Sequence, residues 1–334
     1  MKLTEKEMSS FLMYRMIKPM DNHTITDYFP NRFPITNSNS LEMYLRNRIQ
    51  NLTSEGVALA LSGGIDSAIL AKFMPKGSMA YTFKCVVPGK EVVDESPVAA
   101  KYALECGLQH KIVEIYWEDF ERYADELMIH KGAPIHSIEV QIYKAALQAK
   151  EDGFDTLIFG EAADAVYGGL SGLLSRDWKV GDFIQRYSFV LPYLVLREPE
   201  LPIEPYKRWE NNGIIDPHQF VSNVFIQESV ASYLNATSLA NVRLILPYPE
   251  TYLASYIDYN RIWDGENKYL VREVFQRLYP NFVIPPKTPM PRPMTEWFIE
   301  WDGPKRKEFW PNCVEGLTGD QKWLVWILER FLNL

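Results

Sequence analysis

Cysteine is scarce: the 334 residues hold only Cys85, Cys106 and Cys313. They are far apart, odd in number and without metal-ligand spacing, which excludes a disulfide scaffold and a zinc-type cluster and fits a reducing cytoplasm. Long apolar runs are missing too. The longest, around Phe189 to Leu196, falls well short of the roughly 18 residues that a membrane-spanning helix needs, and residues 1–51 lack the charged start and apolar run of a secretory signal. Basic charge is also in deficit, with 35 Lys and Arg against 43 Asp and Glu and a net charge of −8. An extended nucleic-acid surface needs clustered Lys and Arg, so this balance argues against one. These absences lead us to expect a soluble, cytoplasmic protein that does not engage a membrane and has no extended nucleic-acid surface, while leaving room for a local basic pocket. They leave a small nucleotide open, because its phosphates can be held by backbone N–H groups and one or two lysines.

What is present is a hydrophobic fraction of 47%, enough for a substantial core. Residues 1–50 mix Met, aromatics and Pro without a long amphipathic period and read as an ordered N-terminal extension. From Val57 the pattern becomes regular. The apolar run Val57 to Leu61 reads as a strand, Ser62-Gly63-Gly64 as a turn, and Ile65 to Phe73 as a helix. Further strands are expected near Met79 to Lys84, Lys111 to Tyr116 and Thr156 to Gly160, with helices over Ser96 to Cys106 and a pair within Glu118 to Glu151. This alternation predicts an α/β fold with a parallel, doubly wound sheet. After about Ser171 the strand signal ends and Pro-rich breaks separate helices, so we expect a nucleotide-binding core over 51–170 and a mainly helical substrate region over 171–334. Five prolines within Pro285 to Pro293 predict an extended loop.

Two glycine-bearing loops follow predicted strand ends, where ligands of such sheets bind. Ser62-Gly63-Gly64-Ile65-Asp66-Ser67 lets backbone approach a phosphate and offers N–H donors, while lacking the lysine of a GxxxxGK[ST] loop and the spacing of GxGxxG. Asp66 beside those glycines suits a magnesium ligand. The second loop, Gly160 to Gly169, carries Glu161 and Asp164 three apart, on one face if the loop turns helical. Asp164 would join Asp66 on Mg²⁺, leaving Glu161 to act on a nucleophile; helix capping by acids is the plainer reading of the same pair.

Together these residues resemble the synthetase domain of the asparagine synthetase family of ATP pyrophosphatases, with its SGGxDS loop and later GExxD loop. The resemblance runs from about Val57 to Lys287. It takes in Phe83 to Pro88, the element Leu246-Pro-Tyr-Pro-Glu250, the KxxLR-like Lys268-Tyr-Leu-Val-Arg272, and Lys287 at the place of a loop lysine. The resemblance implies ATP and Mg²⁺ as cofactors. Leu61, Cys85 and Gly160 would contact adenine through their backbone, and Ser62, Gly63, Gly64, Asp66 and Ser67 would hold phosphates and metal. Asp164 would complete the magnesium site, Lys268 would meet phosphate, and Lys287 would stabilise charge at the reacting carbonyl. Glu161 would position or deprotonate the amine.

The sequence departs from that family at Ala165, where a second acid is usual, and at Pro285, where an arginine is usual. The family's glutamine-dependent members also carry a cysteine directly after the initiator methionine and then a glutaminase domain. Here Lys2 stands in that place with little before Val57. The expected nitrogen source is therefore ammonia, an amine donor or a separate glutaminase. The expected reaction joins a small-molecule carboxylic acid to that nitrogen through an acyl-adenylate. Two other classes remain open: a non-catalytic nucleotide-binding subunit, and ATP-dependent modification of a nucleic-acid base. The acid is not legible, although Arg176, Arg186, Arg243 and His218 are candidates to hold a carboxylate.

Overall fold

The four residues Val57–Ala60 are apolar on both faces, as a strand covered on both sides of a sheet requires. In the computed structural model, which describes residues 1–18, 25–52, 56–286 and 290–334, they form the middle of a five-stranded parallel sheet. The order across the sheet is Gln109–Ile115, Met79–Cys85, Val57–Ala60, Thr156–Ile158, Arg243–Ile245. Register is fixed by pairs such as Leu59 with Ala80 on one side and Leu59 with Ile158 on the other.

The chain leaves the central strand in one direction for two strands and then crosses back to its other side, so right-handed crossovers cover both faces with helices. Helices Ile65–Ala71 and Ser96–Cys106 pack together, as do Ser137–Glu151 and Ile226–Leu239. The order reverses between Val57–Ala60 and Thr156–Ile158. That switch point sets the two glycine-bearing loops side by side.

The strand signal does not end at Ser171. Arg243–Ile245 returns from the helical half to pair with Thr156–Ile158, and Thr251–Leu253 pairs in parallel with Phe33–Ile35. A small antiparallel sheet joins Trp178–Lys179, Ile214–Ile215 and Glu210–Asn211. These strands are two or three residues long, too short for a periodicity to register. Among the described residues no helix is long and apolar enough to cross a membrane.

Residues 1–50 contribute two capped helices, Glu5–Tyr14 and Ser38–Gln50. The first ends at Arg15, held at φ 58°, whose buried guanidinium is stacked 3.8 Å from the centroid of the Phe189 ring. Its Nη2 donates to Glu228 Oε2 (2.6 Å) and its Nη1 meets His136 Nε2 (2.8 Å). Burial opposes ionisation of Glu228, but the Arg15 charge outweighs it and holds the carboxyl down at about 2. Burial, reinforced by Arg15, depresses His136 to about 3 and keeps the ring neutral.

This arrangement predicts acid sensitivity. The unfolded chain takes up a proton on His136 near pH 6.5, whereas the folded chain does not until about pH 3, so stability falls as pH drops below 6.5. Urea unfolding at pH 5 should give about 1–2 kcal/mol less stability from this group than at pH 7. In His136→Gln that part of the pH dependence should vanish.

Candidate functional site

The loop Ser62–Ser67 closes on itself through its hydroxyls. Ser62 N–H donates to Ser67 Oγ (3.0 Å), Gly64 N–H to Ser62 Oγ (3.1 Å), and the two hydroxyls bond each other at 2.9 Å. Gly63 N–H points at Glu95 Oε2 (3.0 Å). A carboxylate thus sits on one backbone donor of this loop. Burial raises the pKa of Glu95, and the Gly63 hydrogen bond offsets part of that rise.

Tyrosines fix the helix that follows: Tyr248 Oη donates to the Asp66 carbonyl (2.9 Å) and Tyr279 Oη to that of Ala68 (2.6 Å). Tyr248 belongs to the Leu246–Glu250 element, whose last residue is clamped by Arg48 at 2.6 and 2.8 Å. The second loop approaches so closely that a Cβ on Gly160 would lie 2.8 Å from Ser67 N and 3.0 Å from Asp66 C. Only glycine fits there.

Asp66 and Asp164 converge on one cation, the ammonium of Lys268. Its Nζ lies 2.6 and 2.9 Å from the Asp66 oxygens and 3.0 Å from Asp164 Oδ1. Lys268 is buried, with φ 52°, immediately before helix Tyr269–Leu278. Burial alone would lower its pKa, but the two carboxylates override that and hold it above the ordinary lysine value.

Glu161 and Asp164 do not share a helical face. Ala162 adopts φ 68°, the helix runs only over Ala163–Tyr167, and Glu161 stays outside it. Both nevertheless line one cleft with Leu61, Ser62, Asp66, Ser67 and Gly160. Glu161 is held by two hydroxyl donors from helix Ile226–Leu239, Ser229 Oγ at 2.7 Å and Tyr233 Oη at 2.9 Å. Burial, then the Glu161 charge, raises the Tyr233 pKa far above the ordinary value and keeps it a donor. Phe83, Phe159 and Met290 give the cleft an apolar wall. A neighbouring recess, sharing Ser62, Asp66, Glu95 and Asp164, is lined by Gly63, Gly64, Lys268, Arg272 and Pro285.

Several expected residues sit differently. Cys85 does not line the cleft: its buried thiol donates to the Pro291 carbonyl (3.4 Å), and burial pushes its pKa up to about 12. Lys287 lies outside the described residues. Ala165 is fully buried, its carbonyl accepting from Ser222 Oγ (2.9 Å). His218 is bonded to the Val166 carbonyl and Arg176 is stacked on Trp178, whereas Arg186 lines an open groove. Glu95, Ser229 and Tyr233 had escaped the sequence analysis. Glu95 follows the loop by some thirty residues with no motif around it, and the other two lie on a helix whose face only packing reveals.

Four carboxylates, Asp66, Glu95, Glu161 and Asp164, thus line the two recesses, against the cations Lys268, paired with Asp66 and Asp164, and Arg272. A triphosphate would be repelled by that set unless a divalent cation came with it. Among the described residues no three His, Cys, Asp or Glu side chains converge as metal ligands. Magnesium, however, is commonly held by one or two carboxylates together with substrate phosphates and water, and the pair Asp66 and Asp164 fits that use.

The family model for asparagine synthase matches residues 47–240, more than half of the chain. No curated protein sequence matches. Among solved structures, the NH3-dependent NAD synthetase of Campylobacter jejuni is 18% identical, covering 39% of this chain and 58% of that one at a TM-score of 0.26. The NMN synthetase of Francisella tularensis is 14% identical over 75% of this chain and 97% of its own, at 0.29. A predicted tRNA methyltransferase subunit of Methanocaldococcus jannaschii is 15% identical over 66% and 76%, at 0.27.

The close approach of the two loops is testable. Gly160→Ala forces backbone apart and should lower stability by about 1–3 kcal/mol in a denaturant titration. An unchanged midpoint would mean that the loops separate freely.

Proposed function

We propose, from the premise that the chain belongs to the asparagine synthase family, that it is an ATP-dependent ligase which adenylates a carboxylic acid and passes the acyl group to ammonia or an amine. The observation that carries this reading is the convergence of Asp66, Asp164 and Lys268 beside the Ser62–Ser67 loop, with Glu161 in the same cleft. The reaction has two steps. A carboxylate oxygen attacks the α-phosphorus of ATP, giving acyl-adenylate and pyrophosphate; the amine nitrogen then attacks the acyl carbon, giving amide and AMP.

The chain's own groups suit each requirement. The N–H groups of Ser62, Gly63 and Gly64 suit phosphate oxygens, which take the places now filled by the loop's own hydroxyls and by Glu95. Asp66 and Asp164 would hold Mg²⁺, which when bound neutralises the triphosphate and the departing pyrophosphate. Lys268, permanently charged between them, is positioned to follow the phosphates. Glu161, fixed by Ser229 and Tyr233, is oriented to accept a proton from, or align, the incoming amine. Holding adenylate and amine together in the cleft can lower the barrier by about 7–11 kcal/mol in good geometry.

Pyrophosphate release with MgATP across a panel of carboxylic acids, with and without ammonium, tests the reading. One acid or a small set should elicit pyrophosphate and AMP, and Asp66→Asn and Asp164→Asn should each reduce the rate by about 100-fold or more. Tyr233→Phe, which removes one of the two donors to Glu161, should lower the amide-forming step about 10-fold while pyrophosphate release persists. Nucleotide binding without turnover on any acid would favour a non-catalytic subunit instead.

A further inference from the structure

Apart from the cleft between the two loops, the protein has a further cavity that the adenylation steps do not use. Arg15, His136, Ser137, Phe189, Arg292 and Gln321 line it. Its polar walls are buried: Arg15 is 8% exposed, His136 7% and Ser137 1%. Three donors there have no hydrogen-bond partner, Arg15 Nε, His136 Nδ1 and Ser137 Oγ. The Nη atoms of Arg15 are committed to Glu228 and His136, so Nε is the edge it has left. Since Arg15 Nη1 donates to His136 Nε2, the neutral ring carries its proton on Nδ1, 3.4 Å from Glu228 Oε1. Arg292 adds a second positive charge and is paired with Asp320, a residue whose side chain is 57% exposed.

Buried donors without acceptors are costly. They are satisfied best by a group that only accepts, and a carboxylate does so with two oxygens, one for a guanidinium N–H and one for a hydroxyl.

The cavity opens into a groove with which it shares Phe189, Asp320 and Gln321. The groove also reaches Gly169, the last residue of the loop bearing Glu161 and Asp164, whose N–H donates to the Asp164 carbonyl (2.8 Å). The groove's wall mixes apolar Leu170, Leu173 and Phe225 with polar Gln185, Arg186 and Thr318. The groove thus joins the loop bearing Glu161 and Asp164 to a cavity that holds buried donors without acceptors.

We propose that this groove and cavity bind the far end of the acid substrate, which is therefore elongated and terminated by a second, non-reacting carboxylate. This inference rests on the adenylation reading above. It assigns Arg15, Ser137 and Arg292 as specificity-determining residues, and it places aspartate and succinate among the poor substrates because they are too short to cross the groove.

The test uses the full chain, MgATP, ammonium and a series of α,ω-dicarboxylic acids from succinate to dodecanedioate, with L-aspartate. Alongside run the monocarboxylic acids and the ω-phosphono acids of the same lengths. The native protein should release pyrophosphate fastest with a diacid longer than succinate, at a kcat/KM about 10-fold or more above the matched monoacid. Ser137→Ala, which removes one hydroxyl, should shrink that preference several-fold. The charge-balanced double variant Arg15→Gln with Glu228→Gln, checked for folding by circular dichroism, should abolish it.

Aspartate or succinate as the best acid, equal rates on monoacids and diacids, or a preference untouched by both variants overturns the proposal. A preference for the phosphono acids overturns the carboxylate assignment. If no acid releases pyrophosphate, the adenylation reading fails, and ligand-observed NMR of the same diacids without nucleotide decides the cavity on its own. Saturation transfer to a long diacid that Ser137→Ala removes upholds the carboxylate site, and its absence with the native protein overturns it.

Discussion

The buried ammonium of Lys268 holds three pieces of chain in one place. Asp66 begins one helix, Asp164 lies in the loop helix after the neighbouring strand, and Lys268 precedes a third helix from the far end of the sequence. Two carboxylates this close repel each other across a low-dielectric site, and a buried lysine without partners would lose its proton. Each arrangement is tolerable only because of the other. The left-handed backbone at Lys268 and Ala162 is the conformational cost of bringing them together, of the order of 1 kcal/mol each.

This constraint explains the division of labour in the fold. The parallel sheet supplies two adjacent strand ends at its switch point, and the rest of the chain fixes what emerges from them. Tyr248 and Tyr279 lie 182 and 211 residues beyond the backbone carbonyls of one short helix on which they are spent. Ser229 and Tyr233, from the longest helix of the second half that faces the sheet, orient Glu161. The helical half of the chain is therefore part of the site's scaffold as much as a cover for substrate.

The sheet was legible where hydrophobic runs were long enough and bounded by glycine. Ser96–Cys106 follows its pattern end to end, and the strand at Val57 is marked by the Ser62-Gly63-Gly64 turn. Arg243–Ile245 was not legible, because three residues before a proline carry no period. In the site, Asp66, Asp164 and Glu161 could be read because acids beside glycines at strand ends have few other uses. Their partners could not. Lys268 as a counter-ion to both aspartates, Glu95 on the Gly63 N–H and Arg15 against Glu228 are matters of long-range packing, which no local spacing encodes.

The carboxylate on Gly63 N–H has a consequence for ligand exchange. A loop of this kind is usually pictured as a vacant receptor for anions, but here a tethered internal anion already occupies one of its donors. Any phosphate that enters does so by substitution, so its apparent affinity is the intrinsic affinity reduced by the free energy of expelling Glu95. The same tether acts at departure: the side chain waits at a high effective concentration to reclaim the donor as the phosphate loosens. If the loop holds phosphate, Glu95 would turn it from a vacant receptor into an exchanger, trading tightness of hold for speed of release.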